Sequence, residues 1–294
     1  MIKAVKGVAV LLLCVFFGWV QASQGMPLSE QHQWVLNQEV QFLEDPQGSL
    51  TLNDVVDRED WQQNSASTFN QGYSRSTWWL RLSLKNSDSQ PLKRILSIAY
   101  PVLGDIQFYQ LGSDSEPRFL QMGHDFPYTQ RPMDHRHFVV PLEWAAGETV
   151  TLYLRVQSQS AVQVPLTLWH PDMFYSNDTT HNILHGIYFG ALLVIAIYNL
   201  LLFTALGDRN YLYYVGFVAC MGLIMAALTG YGFRHLWPAA TQWNDQAILV
   251  FLAGTLGFAG IFTRRFLRVR EISRNLDIAA VSLVLVSVAC AVMA

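Results

Sequence analysis

Cysteine is scarce in this chain of 294 residues and absent between residues 24 and 178; of the three present, Cys14 lies near the N-terminus and Cys220 and Cys290 lie in long apolar runs. A disulfide framework is therefore excluded from the middle of the chain, and no cysteine redox centre is expected. Charge is also sparse, at 14% of residues against 51% hydrophobic, which is too apolar for an ordinary soluble domain and too polar for a pure membrane bundle. Catalytic signatures are missing as well. We find no Gly-x-Ser-x-Gly elbow, no phosphate-cradling glycine loop, no His-Glu-x-x-His and no persuasive pair of carboxylates, so the chain reads as a non-enzyme.

What is present divides into two environments. Lys3 and Lys6 precede an apolar run from Gly7 to Val20, and Val20-Gln21-Ala22 places small residues at a cleavage position. This predicts a signal peptide over residues 1–22, an uncleaved signal anchor being the other reading. Four further apolar runs, about 183–206, 211–229, 248–263 and 276–294, are each near the length that crosses a bilayer. The fourth reaches the last residue, so a membrane domain over 181–294 is expected to be truncated. Residues 24–178 would then be periplasmic in a multi-pass protein of the bacterial inner membrane. Arg264, Arg265, Arg268, Arg270 and Arg274 gather in the loop predicted to face the cytosol, whereas residues 231–246 carry Arg234 as their one cation. That asymmetry is the positive-inside pattern.

The exported part holds 10 basic against 18 acidic residues over 23–178, which argues against nucleic acid as a partner. Its pattern is one of short alternating strands. Trp78, Leu80, Leu82 and Leu84 alternate with Trp79, Arg81, Ser83 and Lys85, and Val150, Leu152, Leu154 and Val156 alternate with Thr149, Thr151, Tyr153 and Arg155. Further strands are predicted at 95–100, 106–110, 137–142 and 166–169, and one helix over 51–61 with Leu52, Val55 and Val56 inward. The fold class is a mainly β, jelly-roll-like sandwich followed by all-α transmembrane helices.

Several stretches then resemble one family. Phe42-Leu43-Glu44-Asp45-Pro46, Trp78-Trp79-Leu80-Arg81, Arg131-Pro132 with His135-Arg136, Leu152-Tyr153-Leu154-Arg155-Val156 and Pro165-Leu166-Thr167-Leu168-Trp169 are similar to the type 2 extracellular domain of seven-transmembrane receptors with diverse intracellular signalling modules (7TMR-DISM). Tyr198-Asn199-Leu200, Arg209-Asn210-Tyr211-Leu212-Tyr213-Tyr214 and Phe262-Thr263-Arg264-Arg265-Phe266-Leu267 resemble its helical domain. The resemblance implies a periplasmic sensor domain that binds a small, carbohydrate-like ligand. It also implies seven spans, of which four are expected here, and a cyclase, kinase or phosphatase effector beyond them. The competing expectation is a membrane-tethered carbohydrate-binding or interaction module without signalling output.

Candidate ligand-binding residues follow from chemistry. Trp79 and Arg81 share a strand face, where a ring and a cation suit a sugar, or else pack on a neighbouring element. Arg131, His135 and Arg136 form a polar loop of the kind that carries binding. Gly186 and Gly190 offer a small-xxx-small face to another helix or a homodimer partner, and Asn199 in mid-span requires an interhelical hydrogen bond. His135 and His137, with His124, Asp125 and Asp134, are conceivable metal ligands, but no established spacing is present and neither a metal nor another cofactor is expected.

Overall fold

A computed structural model describes residues 33–112 and 117–293 of the chain, with side chains as far as Ala289. The expected signal peptide, with Cys14, lies outside the described residues, as does the side chain of Cys290.

Twelve described strands form the β-part, and every pairing is antiparallel. They are β1 (Gln33–Val35), β2 (Gln41–Asp45), β3 (Gln62–Gln63), β4 (Phe69–Tyr73), β5 (Thr77–Lys85), β6 (Leu92–Ile98), β7 (Asp105–Leu111), β8 (Arg118–Met122), β9 (Phe138–Trp144), β10 (Thr149–Gln157), β11 (Ala161–Val164) and β12 (Leu166–Trp169). One sheet has the order β1-β12-β6-β9, a second β3-β2-β5-β10-β7-β8, and β11 pairs with β4 as a ribbon. The architecture is a mainly β sandwich followed by helices.

Register explains the core. Leu80 on β5, Leu154 on β10 and Phe108 on β7 lie side by side, and so do Trp78, Val156 and Ile106. In the other sheet Leu96, Ile98, Phe138, Val140, Leu166 and Leu168 are likewise nearly or fully buried. The alternation in β5 and β10 therefore buries the even-numbered residues as its period of two requires.

The opposite face of β5 departs from the sequence expectation. The helix expected over 51–61 is only α1 (Leu52–Val56), opened by the Asp54 carboxylate accepting from the Thr51 backbone N–H at 2.8 Å and from its hydroxyl at 2.6 Å. Val55 of α1, with Leu52, Val56 and Trp61 around it, covers Leu43, Trp79 and Tyr153, a second small core outside the sheet. Trp79 is consequently fully buried, stacked on Tyr109 at 6.1 Å, and its expected role as an open platform for a sugar is corrected. Arg81 is turned inward as well. Its guanidinium lies 4.5 Å from the Trp61 ring centroid and donates to Gln41 Oε1 at 2.8 and 3.0 Å.

The helices are α2 (Pro171–Leu206), α3 (Arg209–Leu228), α4 (Tyr231–His235), α5 (Thr241–Phe266), α6 (Val269–Ile272) and α7 (Arg274–Met293). Among the described residues α2, α3 and α5 are long and apolar enough to cross a membrane. Proline at the first position of α2 suits a helix start, because its missing N–H has no intrahelical acceptor there. At 36 residues α2 is about 54 Å long, well beyond the apolar run 183–206 that the sequence marks. Its first turns are not lipid-facing: Phe174 is buried with Ile95 and Val139 on the outer face of the four-stranded sheet, with Met133 and Trp169 packed against them. Burying a phenylalanine contributes about 1.5–3 kcal/mol, so the base of the first span is fixed to the sheet.

Within the single chain no other described helix packs closely on Gly186 or Gly190: a Cβ placed at either meets nothing within 4 Å beyond the helix's own backbone. The Asn199 amide donates one N–H to the Ile195 carbonyl one turn back on its own helix at 2.8 Å, and no described residue of another helix hydrogen-bonds to it.

Candidate functional site

The loop between β8 and β9, read from its sequence as a polar loop of the kind that carries binding, holds its charged residues largely buried. Arg131, His135 and Arg136 are 9%, 5% and 6% exposed, because the loop is pressed between the sandwich and the outer ends of the helices. Arg131 has no described carboxylate partner. Its guanidinium sits 4.7, 4.4 and 5.5 Å from the ring centroids of Tyr128, Phe138 and Phe233, and its Nη1 donates to the carbonyls of His135 and Arg136 at 3.1 and 2.8 Å. Burial pulls its pKa down to about 10, which still leaves it a cation near neutrality. Arg131 is thus a clamp between sandwich and helices, enclosed in rings and closed to a ligand.

His135 and Arg136 reach the first-span helix. The His137 backbone N–H donates to His135 Nδ1 at 3.0 Å, so Nε2 carries the hydrogen and donates it to Asp178 Oδ1 at 2.9 Å. Arg136 approaches the same oxygen at 3.7 Å and covers the Tyr231 ring at 5.3 Å. Asp178 Oδ2 accepts from Asn182 at 2.9 Å, and the Asn182 side-chain oxygen accepts from the Tyr231 hydroxyl. One chain of polar contacts therefore links a sandwich loop, the base of α2 and the start of α4. Gly230, just before α4, has φ +81°, and a Cβ there would meet the Arg136 carbonyl oxygen at 2.8 Å. Only glycine combines that conformation with that approach.

Nearby, Arg234 Nε lies 3.0 Å from Asp134, which also accepts from the Tyr128 hydroxyl at 2.8 Å, while the Tyr128 backbone N–H donates to Pro238 O at 2.9 Å. Asp134 is therefore remote from any metal-ligating role, and His135 and His137 meet ring to ring at 5.2 Å.

A cavity of about 510 Å³ opens at this junction. Gln33, Ser97 and Thr167 come from the four-stranded sheet, Trp169 from its end, His135, Arg136 and His137 from the loop, and Asn177, Asp178, His181 and His185 from α2. Of the five ligand candidates in the sequence, His135 and Arg136 line it, whereas Trp79, Arg81 and Arg131 do not. Trp169 and Asp178 were not singled out; their proximity to the loop comes from pairing β12 with β6 and from the helical start at Pro171.

The histidines give the junction a pH dependence. Burial, with like charge from Arg136 and His135, pushes His137 down to about 3, only partly opposed by Asp178; Arg131 adds to the shift. Burial also lowers His135, against the pull of Asp178. A histidine held neutral in the native state takes up its proton on unfolding below about pH 6.5, so stability falls with pH from there towards the native value. Unfolding of the full chain in detergent, followed by tryptophan fluorescence, should show wild type losing about 1.4 kcal/mol per pH unit more than His137→Gln between about pH 6 and 4. Parallel pH profiles would contradict this.

The 7TMR-DISM extracellular 2 family matches residues 37–170, and the 7TM diverse intracellular signalling family matches residues 181–294. No curated protein matches the chain. A solved family GH115 4-O-methyl-alpha-glucuronidase with specificity for decorated arabinogalactans is similar at 11% identity and a TM-score of 0.25. That match covers 51% of this chain and 19% of the glucuronidase, and a likeness so slight carries no argument about chemistry. The two family matches are separated by residues 171–180 at the start of α2 and between them take in the sandwich and the spans, so the chain belongs to the 7TMR-DISM family, a membrane protein of receptor-type architecture with an extracellular domain.

Proposed function

We propose that the protein is a sensor of the bacterial inner membrane whose periplasmic sandwich binds a small, carbohydrate-like ligand in the junction cavity and passes the event through α2 to an effector outside these 294 residues. The observation that carries this reading is the double origin of the cavity wall. Sheet residues Ser97 and Thr167 face helix residues Asn177 and Asp178 across one space, so an occupant would touch both the sandwich and the base of the first span. The partly buried Trp169 ring supplies a stacking surface, and Gln33, Ser97, Thr167 and Asn177 supply uncharged hydrogen-bonding groups suited to hydroxyls. A ligand shifts a two-state bundle only by its differential affinity, and a site shared by both parts is where that difference arises.

The test is calorimetric titration of the full chain in nanodiscs with a panel of neutral sugars and uronates, repeated with Trp169→Ala. We expect at least one saccharide to bind and the variant to weaken it about 2- to 10-fold, as loss of an aromatic contact does. Hydrogen exchange over residues 171–182 should slow on binding. Silence across the panel, or binding that Trp169→Ala leaves unchanged, would overturn the assignment of the site. Binding with no change in α2 would favour a tethered module without output.

A further inference from the structure

On the far side of the loop from the junction cavity, His124 and Asp125 follow β8 and meet Asp245 from the second turn of α5. The His124 Nε2 touches an Asp245 carboxylate oxygen and lies 3.3 Å from Asp125 Oδ1, and the three ligand atoms all fall within 4.8 Å of one another. Ligands at about 2.0–2.2 Å from a tetrahedral zinc stand roughly 3.3–3.6 Å apart, so the His124–Asp125 spacing is already that of a metal edge.

We propose that His124, Asp125 and Asp245 form a zinc site that staples the sandwich to the third span, with water completing the coordination. Two observations point to a cation beyond the proton on His124. The imidazole is only 4% exposed, yet it faces two carboxylates, and even a charged imidazole balances one of them. Asp105 lies nearby but is paired with Arg155 at 3.8 Å, whereas among the described residues no lysine or arginine pairs with Asp125 or Asp245. The loop is also held in place before any ion binds. The His124 and Asp125 backbone N–H groups donate to the Leu103 and Gly104 carbonyls at 2.8 and 3.2 Å. Gly123 has φ +154° and lies so close to the Gly104 carbonyl that a Cβ would fall 1.7 Å from its oxygen. A divalent ion of nitrogen-and-oxygen preference answers the excess charge, and one imidazole with two carboxylates is a ligand set that zinc takes. The site is independent of the junction cavity and of whatever occupies it.

Full-length chain in detergent, stripped with chelator, would be titrated with zinc chloride against a chromophoric competitor, and thermal unfolding recorded with and without zinc. One zinc per chain and a raised unfolding midpoint are expected. His124→Gln and Asp245→Asn should each weaken binding by at least the 10- to 100-fold typical of losing an outer-shell partner, and should remove the midpoint rise. Should either variant fold poorly, Asp125→Asn supplies the same test, because that half-exposed carboxylate makes no described hydrogen bond outside the cluster. His181→Gln should bind zinc as wild type does. No zinc uptake by wild type, or uptake undiminished in the cluster variants, would overturn the site.

Discussion

Trp79→Ala should lower the stability of the β-part by about 3–5 kcal/mol, the range for deleting a buried tryptophan side chain. The ring is fully buried among Leu43, Val55 and Tyr153 and is the largest side chain in the buried cluster under α1. Removing it opens a cavity that α1 can fill only by giving up its own seat on the sheet. Such a loss is a large share of the stability of a typical domain, so expression at lower temperature is expected to be necessary. Thermal unfolding of the purified chain measures the loss. A variant with wild-type stability but weakened saccharide binding would instead restore Trp79 as a ligand platform.

The second large effect is expected at Phe233. This residue lies in α4, between two spans, yet its ring is 2% exposed and meets Tyr128 of the sandwich edge-on at 6.0 Å beneath the Arg131 guanidinium. Phe233→Ala should cost about 3–5 kcal/mol, and the location of that cost is the informative part. Arg131 would lose one of its three rings and gain a space open to water, which weakens a cation–π contact made strong by desolvation. We therefore expect hydrogen exchange to accelerate over residues 131–137 while β5 and β10 keep their protection. Uniform acceleration across the sandwich would show that Phe233 supports the whole domain and has no special part in the junction.

What the sequence displayed and what it hid follow from the range of the interactions. The inner face of β5 and β10 was legible because alternation is a local property, and the spans because a bilayer demands a contiguous apolar run. The outer face of β5 was not, since the residues covering Trp79 come from α1 and Trp61, which local alternation cannot see. Strands such as Phe69-Asn70-Gln71-Gly72-Tyr73 carry too few alternating apolar residues to announce themselves. The candidate site was half legible. Arginine and histidine in the 131–136 loop drew attention by type, but a charged loop looks the same in sequence whether water or a helix end lies against it. Asp178 supplies the contact that makes it a junction, and no local pattern marks it as the partner of His135. Asp245 was invisible as a partner of His124 for the same reason: only the placing of the start of α5 against the loop after β8 brings them together.

The length of α2 has a mechanical consequence. After Pro171 the helix contains no proline, the commonest cause of a kink, and it runs unbroken from the buried Phe174 to Leu206. Those two residues are about 48 Å apart along the axis, at 1.5 Å per residue. A rod pivoted at its upper seat behaves as a crank: five degrees of tilt there sweeps the far end sideways by about 4 Å, which is most of the radius of a helix with its side chains. Amplification of that order needs no rearrangement inside the rod, only a seat whose angle can change.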